Sequence, residues 1–239
     1  MSGVSASLSV HELEKWFGDT KILAGLSFDV ARGEIVGLLG PNGAGKTTTL
    51  RAIAGVQSFD AGRVFIQGLD LEANRVAAIR CMGYMPENPP FYGEMTVESH
   101  LRFWARLRDV EKNSLEDRVD EAISVAGLEQ ARGIQAGKLS KGYRQRLGLA
   151  QSVVHGPSVL ILDEPTSGLD PDQIVQTREA VRSFAGHKTV LVSTHILPDA
   201  IRMCDRVVIV KDGKIVATSP ITESETLLER VYLDAIHGL

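Results

Sequence analysis

Gly40-Pro41-Asn42-Gly43-Ala44-Gly45-Lys46-Thr47 is the stretch in which residue type and spacing point most directly to chemistry. It fits G-x-x-x-x-G-K-[ST], the spacing of a phosphate-binding loop. A short apolar run from Glu34 to Leu39 precedes it, and a helix-compatible run from Lys46 to Ala54 follows. Glycines at 40, 43 and 45 allow successive backbone N–H groups to turn inward around a phosphate. The start of the next helix adds its positive end. Lys46 then serves as a mobile charge for β- and γ-phosphates, and the Thr47 hydroxyl as a Mg²⁺ ligand. The cradle comprises Asn42, Gly43, Ala44, Gly45, Lys46, Thr47 and Thr48.

Three further groups can serve such a loop. Val159 to Leu162 is an apolar run ending at Asp163 and Glu164, as in a buried parallel strand with acids at its C-terminal edge. Asp163 there can hold Mg²⁺, and Glu164 can orient or deprotonate an attacking water; two adjacent acids can equally cap the following turn. His195 follows the next apolar strand in Ser193-Thr194-His195 and can donate to a γ-phosphate, although a lone histidine also serves structural ends. Leu139-Ser140-Lys141-Gly142-Tyr143-Arg144-Gln145-Arg146 opens a helix running to about His155. Ser140 is its N-cap, and Gly142 admits a close backbone or phosphate, which makes a second anion site.

The elements that must position these groups follow from hydrophobic period and punctuation. Leu8 to Leu13 and Ile22 to Val30 read as antiparallel strands, with Trp16-Phe17-Gly18 between them. Either ring suits core packing; Phe17 is the better placed to stack on a purine whose phosphates occupy the loop. Gly62 to Gln67 and Met82 to Met85 are strands, and Glu72 to Arg80 a helix. Pro86-Glu87-Asn88-Pro89-Pro90 cannot continue regular structure and marks a hinge. Beyond it lie helices, one capped by Thr96 with Val97, Leu101, Trp104 and Leu107 in phase. A second begins near Asn113 and buries Leu115, Val119, Ala122, Ile123 and Ala126 before Gly127. Asp170-Pro171 opens a helix using Ile174, Val175, Val181 and Phe184. Thr189 to Ser193 is a buried strand, followed by a helix from Ile196 to Met203. Asp212-Gly213 joins a hairpin, and Thr222 to Ile236 forms a terminal amphipathic helix.

Composition sets outer bounds. The chain has 239 residues, 44% hydrophobic, enough for a substantial core. Its 26 basic and 30 acidic side chains leave a net charge of −4, which provides no global field for nucleic acid or an anionic membrane. Cys81 and Cys204 belong to no metal or redox spacing. Met1 to Val10 lacks the pattern of a signal peptide, and no apolar run approaches the roughly 20 residues of a spanning helix.

Taken together, these motifs resemble the nucleotide-binding subunit of ATP-binding cassette (ABC) proteins, whose signature reads LSGGQ in its commonest form. The resemblance spans nearly the whole chain. It implies an α/β P-loop NTPase (RecA-like) core with an N-terminal antiparallel β-subdomain and an inserted α-helical subdomain. The core would be residues 1–86 and 157–220, the signature subdomain 87–156 and the C-terminal helix 221–239. By position, Gly40 to Thr47 resembles Walker A, Val159 to Asp163 Walker B, and Glu164 the catalytic glutamate. Ser167-Gly168-Leu169-Asp170 resembles the D-loop, with Asp170 in the nucleotide-binding set, His195 the switch histidine, and Phe17 the adenine-stacking aromatic. Ser140 and Gly142 would act in trans, on ATP held by the P-loop of a second cassette.

The resemblance implies an ATPase using ATP and Mg²⁺, with a second ATP-binding subunit (a homodimer or a close paralogue) and separate polytopic transmembrane subunits. Its place would be the cytoplasmic face of the membrane, and nucleic acid is not an expected partner. Signature texture, and the short tail after Gly213, lean toward exporter and multidrug-type cassettes; a soluble ABC ATPase acting on ribosomes or DNA is the alternative. The sequence departs from the family pattern at Lys141 and Tyr143-Arg144 in the signature. It departs again at Glu87, where the Q-loop normally has glutamine; a carboxylate can still reach a metal or water, but adds charge and loses an amide donor. Phe91, Tyr92, Phe103 and Trp104 are candidate contacts for a docking helix of the membrane subunit.

Overall fold

The computed structural model describes residues 6–221 and 225–237. Its first two strands, β1 (Ala6–Phe17) and β2 (Thr20–Ala31), pair antiparallel across Gly18-Asp19. A bulge at His11-Glu12, with Glu12 at φ +47, shifts the inward set from Leu8 and Val10 to Leu13 and Lys15. β3 (Ile35–Leu39) is buried along its length and leads through the glycine-rich loop into α1 (Lys46–Ile53). β4 (Ala61–Ile66) and β5 (Leu69–Asp70) then complete a four-stranded antiparallel sheet in the order β2-β1-β4-β5.

α2 (Arg75–Arg80) starts later than the apolar pattern suggests. The Asp70 carboxylate accepts hydrogen bonds from the N–H groups of Glu72 and Ala73, at 2.9 and 3.0 Å, and so holds both in a turn. β6 (Met82–Met85) is halted by Pro86, and the chain enters the helical segment. α3 (Val97–Leu107) is capped by Thr96, whose hydroxyl accepts from the Ser99 N–H at 3.2 Å. Its buried face is Val97, Leu101 and Ala105, four residues apart; Leu107 falls on the opposite side and is exposed, a departure from the expected stripe. α4 (Leu115–Val125) buries Leu115, Val119, Ala122 and Ile123, with Ala126 beyond it, and Gly127 ends it at φ +61. α5 (Lys141–Val153) carries Ser140 at its N-cap.

β7 (Val159–Asp163) returns the chain to the second sheet, followed by α6 (Pro171–Arg182), β8 (Thr189–Thr194) and α7 (Leu197–Met203). Val175 of α6 is exposed because that helix turns Thr177 and Val181 inward instead. β9 (Arg206–Lys211) and β10 (Lys214–Pro220) form the final hairpin, with Asp212 and Gly213 both at positive φ, the conformation of a type I′ turn. α8 (Glu225–His237) closes the described chain; the expected helix start at Thr222 lies outside the described residues.

The second sheet runs β10-β9-β3-β8-β7-β6, parallel except for the β10 edge. Its central strands alternate between two cores. Leu160, Leu162, Val190 and Val192 belong to the core that includes α3, α4 and α5, while Ile161 and Leu191 belong to the core shared with α1 and the antiparallel sheet. Each such buried aliphatic side chain contributes about 1.5–3 kcal/mol, and the core of the helical insertion is continuous with this face of the sheet. Cys81 and Cys204 are unpaired thiols. Among the described residues no helix is long and apolar enough to cross a membrane.

Strand order decides function here. β8 lies between β3 and β7, with Leu39 paired to Thr194 and Ser193 to Asp163. The loop after β3, the acids ending β7 and His195 after β8 therefore emerge side by side at the C-terminal edge.

Candidate functional site

Glycine is required in the loop by what surrounds it. A side chain at Gly40 would collide with the backbone carbonyl of Val210 in β9, and Gly45 takes φ +103 beside Leu23. Gly43, at φ +83, has open space before it. The β9–β10 turn clamps the loop from behind: Gly213 N–H donates to the Ala44 carbonyl at 3.1 Å, and Ala24 N–H donates to the Gly213 carbonyl at 2.9 Å. The hairpin signal at Asp212-Gly213 is thus part of the site's support, a role that turn chemistry alone does not reveal. No side chain caps α1, so its first N–H groups are free to bind an anion.

Lys46 is nearly buried. Its ammonium donates to the carbonyls of Gly40 at 2.8 Å and Pro41 at 3.2 Å, and stands 3.6 Å from Glu164 Oε1. The lysine is therefore folded back on its own loop, held by groups that a phosphate would replace.

Asp163 is fully buried beneath this loop. Its Oδ1 accepts from the hydroxyls of Ser193 at 2.7 Å and Thr47 at 3.1 Å, while Oδ2 has no partner among the described residues. Burial raises its pKa above the ordinary carboxylate range, against the lowering effect of those two hydrogen bonds. An unpartnered buried carboxylate oxygen costs on the order of 1–3 kcal/mol and calls for a missing ligand. The donor set, a carboxylate oxygen next to a threonine hydroxyl, is that of a hard divalent cation, so Mg²⁺ fits here.

Glu164 follows in a left-handed conformation, φ +47, uncommon for a residue with a Cβ. Its N–H donates to Ser193 Oγ at 2.9 Å, and its Oε2 lies 3.0 Å from His195 Nδ1. Ser193, which bonds both acids, was not singled out from sequence; its place one residue inside the edge of β8 is the signal that marks it.

Lys46, Thr47, Glu164 and His195 share an open cavity of about 490 Å³, lined also by Phe17, Ile22, Asn42, Gly43, Gly45, Thr48, Glu87 and Ser167. Neither Trp16 nor Phe17 is a core ring: both are about half exposed, and only Phe17 faces the cavity. Ile22, and Ser167 of the expected D-loop, join the lining although neither belongs to the expected nucleotide-binding set.

Five expected residues do not line the cavity. Asp163 is buried beneath it, bonded to Thr47 of the lining. Ala44 contributes backbone and is itself buried. Asp170 is spent locally, its Oδ1 accepting from the Gln173 N–H at 2.9 Å to cap α6. Ser140 caps α5, accepting from Tyr143 N–H at 3.4 Å, and Gly142 lies beneath the side chain of Gln173. Gly142 is thus not open to a phosphate until Gln173 moves.

The chain matches the family model described as ABC transporter over residues 23–167. It is 41% identical over 208 residues to the uncharacterized ABC transporter ATP-binding protein YxlF of Bacillus subtilis (strain 168), covering 87% of this chain and 69% of that one. It is 38% identical to the Nod factor export ATP-binding protein I of Burkholderia lata, covering 89% and 70% respectively. A solved ATP-binding subunit of an ABC transporter superposes with a TM-score of 0.85 at 30% identity, over 97% of this chain and 99% of that one. With the glycine-rich loop, the strand-end acids and the histidine gathered on one sheet edge, this chain belongs to the ABC transporter family, as one of its ATP-binding, ATP-hydrolysing subunits.

Proposed function

We propose that two such chains, or this chain and a close paralogue, close head to tail around two MgATP and so drive separate membrane-spanning subunits, in an exporter at the cytoplasmic face of the membrane. The observation that carries this reading is the half-built pocket. One chain supplies the P-loop, both acids and His195, while Ser140 stands exposed outside its cavity, and Gly142, beneath Gln173, becomes available to a partner's nucleotide once that side chain moves.

In this reading Phe17 stacks on adenine, and the N–H groups from Asn42 to Thr48 receive the phosphates. Lys46 exchanges its bonds to Gly40 and Pro41 for the β- and γ-phosphates. Asp163, through its unpartnered oxygen, and Thr47 would hold Mg²⁺, with Glu87 at the cavity wall; bound there, the ion supplies charge neutralisation for the phosphates. Glu164 takes the proton of the water attacking the γ-phosphorus, the bond to the β-phosphate oxygen breaks, and ADP leaves. His195, fixed through Nδ1 by Glu164, presents its other nitrogen toward the γ-phosphate. Asp170 acts by holding the start of α6 and the preceding turn at the dimer face.

Residues 6–86 with 157–220 form the nucleotide-holding unit and 87–156 the signature unit, with α8 (Glu225–His237) as the C-terminal helix. Pro86 to Pro90 is the hinge between the first two. Beside it a groove of about 670 Å³ is lined in part by Arg51, Ile79, Tyr84, Trp104 and Arg108. Tyr84 and Trp104 line it with partly exposed rings, which suits the apolar face of a docking helix from the membrane subunit. Tyr92 is exposed, and Phe91 is held by Arg144 at 5.0 Å, so Trp104 and Tyr92 are the better contacts of the four aromatics. The relative named for Nod factor export supports outward transport.

Affinity capture of the tagged chain from detergent-solubilised native membranes tests the assignment. A polytopic membrane protein recovered with it is the expected result; ribosomes or DNA without a membrane partner would overturn it.

A further inference from the structure

Gln145 is a buried amide that the chemistry above does not use. It sits on α5, five residues after Ser140, and is 4% exposed. Its Nε2 points at two backbone carbonyls from different parts of the chain: Glu87, in the hinge after β6, at 3.4 Å, and Glu164, at the end of β7, at 3.5 Å. No other side chain among the described residues bonds both segments. Burying an amide is costly unless its hydrogen bonds are made, and a methionine would fill the same space without that cost. Both bonds lie near the outer limit of hydrogen-bond length, where a few tenths of an ångström decide whether they hold.

The surroundings make this contact sensitive to one motion. α5 rests on β6 and the hinge almost without side-chain cushioning. Gly148, on the same face as Gln145, has Pro89 against it, and Gly83 of β6 faces the backbone carbonyl of Ser152. Movement of α5 at that seam therefore shifts Gln145 directly against the Glu87 and Glu164 carbonyls. At 1.5 Å rise per residue, Gln145 stands about 7–8 Å along the helix from Ser140.

Resting on the dimer reading above, we infer that Gln145 is a positioning residue. Its carboxamide ties the left-handed backbone of Glu164 and the hinge carbonyl of Glu87 to the signature helix. Seating Ser140 on a partner's nucleotide thereby sets where the Glu164 carboxylate lies. The nucleotide is sensed on one chain and the catalytic glutamate of that same chain is aligned for its own ATP.

The test uses the full chain with Gln145→Met, which keeps length and removes the donors, and Gln145→Glu, which keeps shape and removes them at neutral pH. Steady-state kcat and KM, ATP affinity of the isolated chain, thermal unfolding, and ATP-driven dimerisation in a Glu164→Gln background are measured for each. The expected result is a kcat about 10-fold or more below wild type, as sub-ångström misplacement of a catalytic group produces, with ATP affinity and dimerisation unchanged. Turnover of Gln145→Glu relative to wild type should rise on acidification, as the buried carboxyl gains a proton and regains a donor. Wild-type kcat in both variants, or losses of kcat that only follow losses of thermal stability, overturn the inference. Gln145→Met decides alone if Gln145→Glu does not fold. Failure of the dimer reading is distinguishable, because Glu164→Gln with Gln145 intact would then not dimerise.

Discussion

Replacing Gly83 by alanine probes the seam through which the signature helix is held. A Cβ on Gly83 would stand 1.9 Å from the Ser152 carbonyl oxygen, where ordinary contact begins at 3.4 Å. The gap must therefore open by about 1.5 Å, and both sides are backbone, so no rotamer can absorb it. If α5 translates, Ser140 is displaced by about that amount. If it pivots on the Gly148–Pro89 contact, about 6 Å from Ser152, then Ser140, about 12 Å beyond the pivot, moves about 3 Å the other way. Overpacking of this kind costs about 1–3 kcal/mol, or roughly 2–12 °C in unfolding temperature for a chain of this size. A misplacement of about 1 Å can cost about 100-fold in turnover. Differential scanning calorimetry, MgATP titration of the isolated chain and steady-state ATPase assays should report a lowered melting temperature, unchanged nucleotide affinity and turnover down by about two orders of magnitude. Unchanged melting and turnover would refute the close approach. Affinity lost in step with turnover would refute the separation of the seam from the nucleotide cavity.

Phe17→Ala removes a half-exposed ring from the cavity wall, so stability should hold while ATP affinity weakens by about 1–3 kcal/mol, read by calorimetric titration. His155, whose Nε2 lies 3.0 Å from the Met82 carbonyl, has its pKa pushed down to about 4, chiefly by burial. The folded state favours the neutral ring, so its stabilising contribution is complete above the unfolded value of about 6.5 and is lost as pH falls toward 4. Melting temperature should decline across that window, and less steeply in His155→Gln. Glu87→Gln removes a carboxylate from the cavity wall; transport-linked turnover should change while ATP affinity barely does, and identical turnover would remove Glu87 from the coupling scheme.

The layered fold was legible because its signals are local: continuous apolar runs for β3, β7 and β8, capping residues at Thr96, Ser140 and Asp170, and Asp212-Gly213 for the hairpin. The loop, Asp163, Glu164 and His195 were legible because each sits at the C-terminal end of such a run. Residues whose importance comes from a partner distant in sequence were not. Ser193 matters through Asp163 and Glu164, Gly213 through Ala44, and Gln145 through Glu87 and Glu164. Leu107 and Val175 misled because periodicity does not say which of two phases a neighbour covers. Asp70 displaced the start of α2 because a side-chain bond to the backbone competes with helix formation.

Sedimentation of Glu164→Gln with and without MgATP bears most directly on the half-built pocket. A species of twice the chain mass should form only with nucleotide, and adding Ser140→Ala should weaken it while leaving single-chain ATP affinity intact. A Glu164→Gln chain that stays monomeric at saturating ATP, or that dimerises equally without nucleotide, would contradict a site completed in trans.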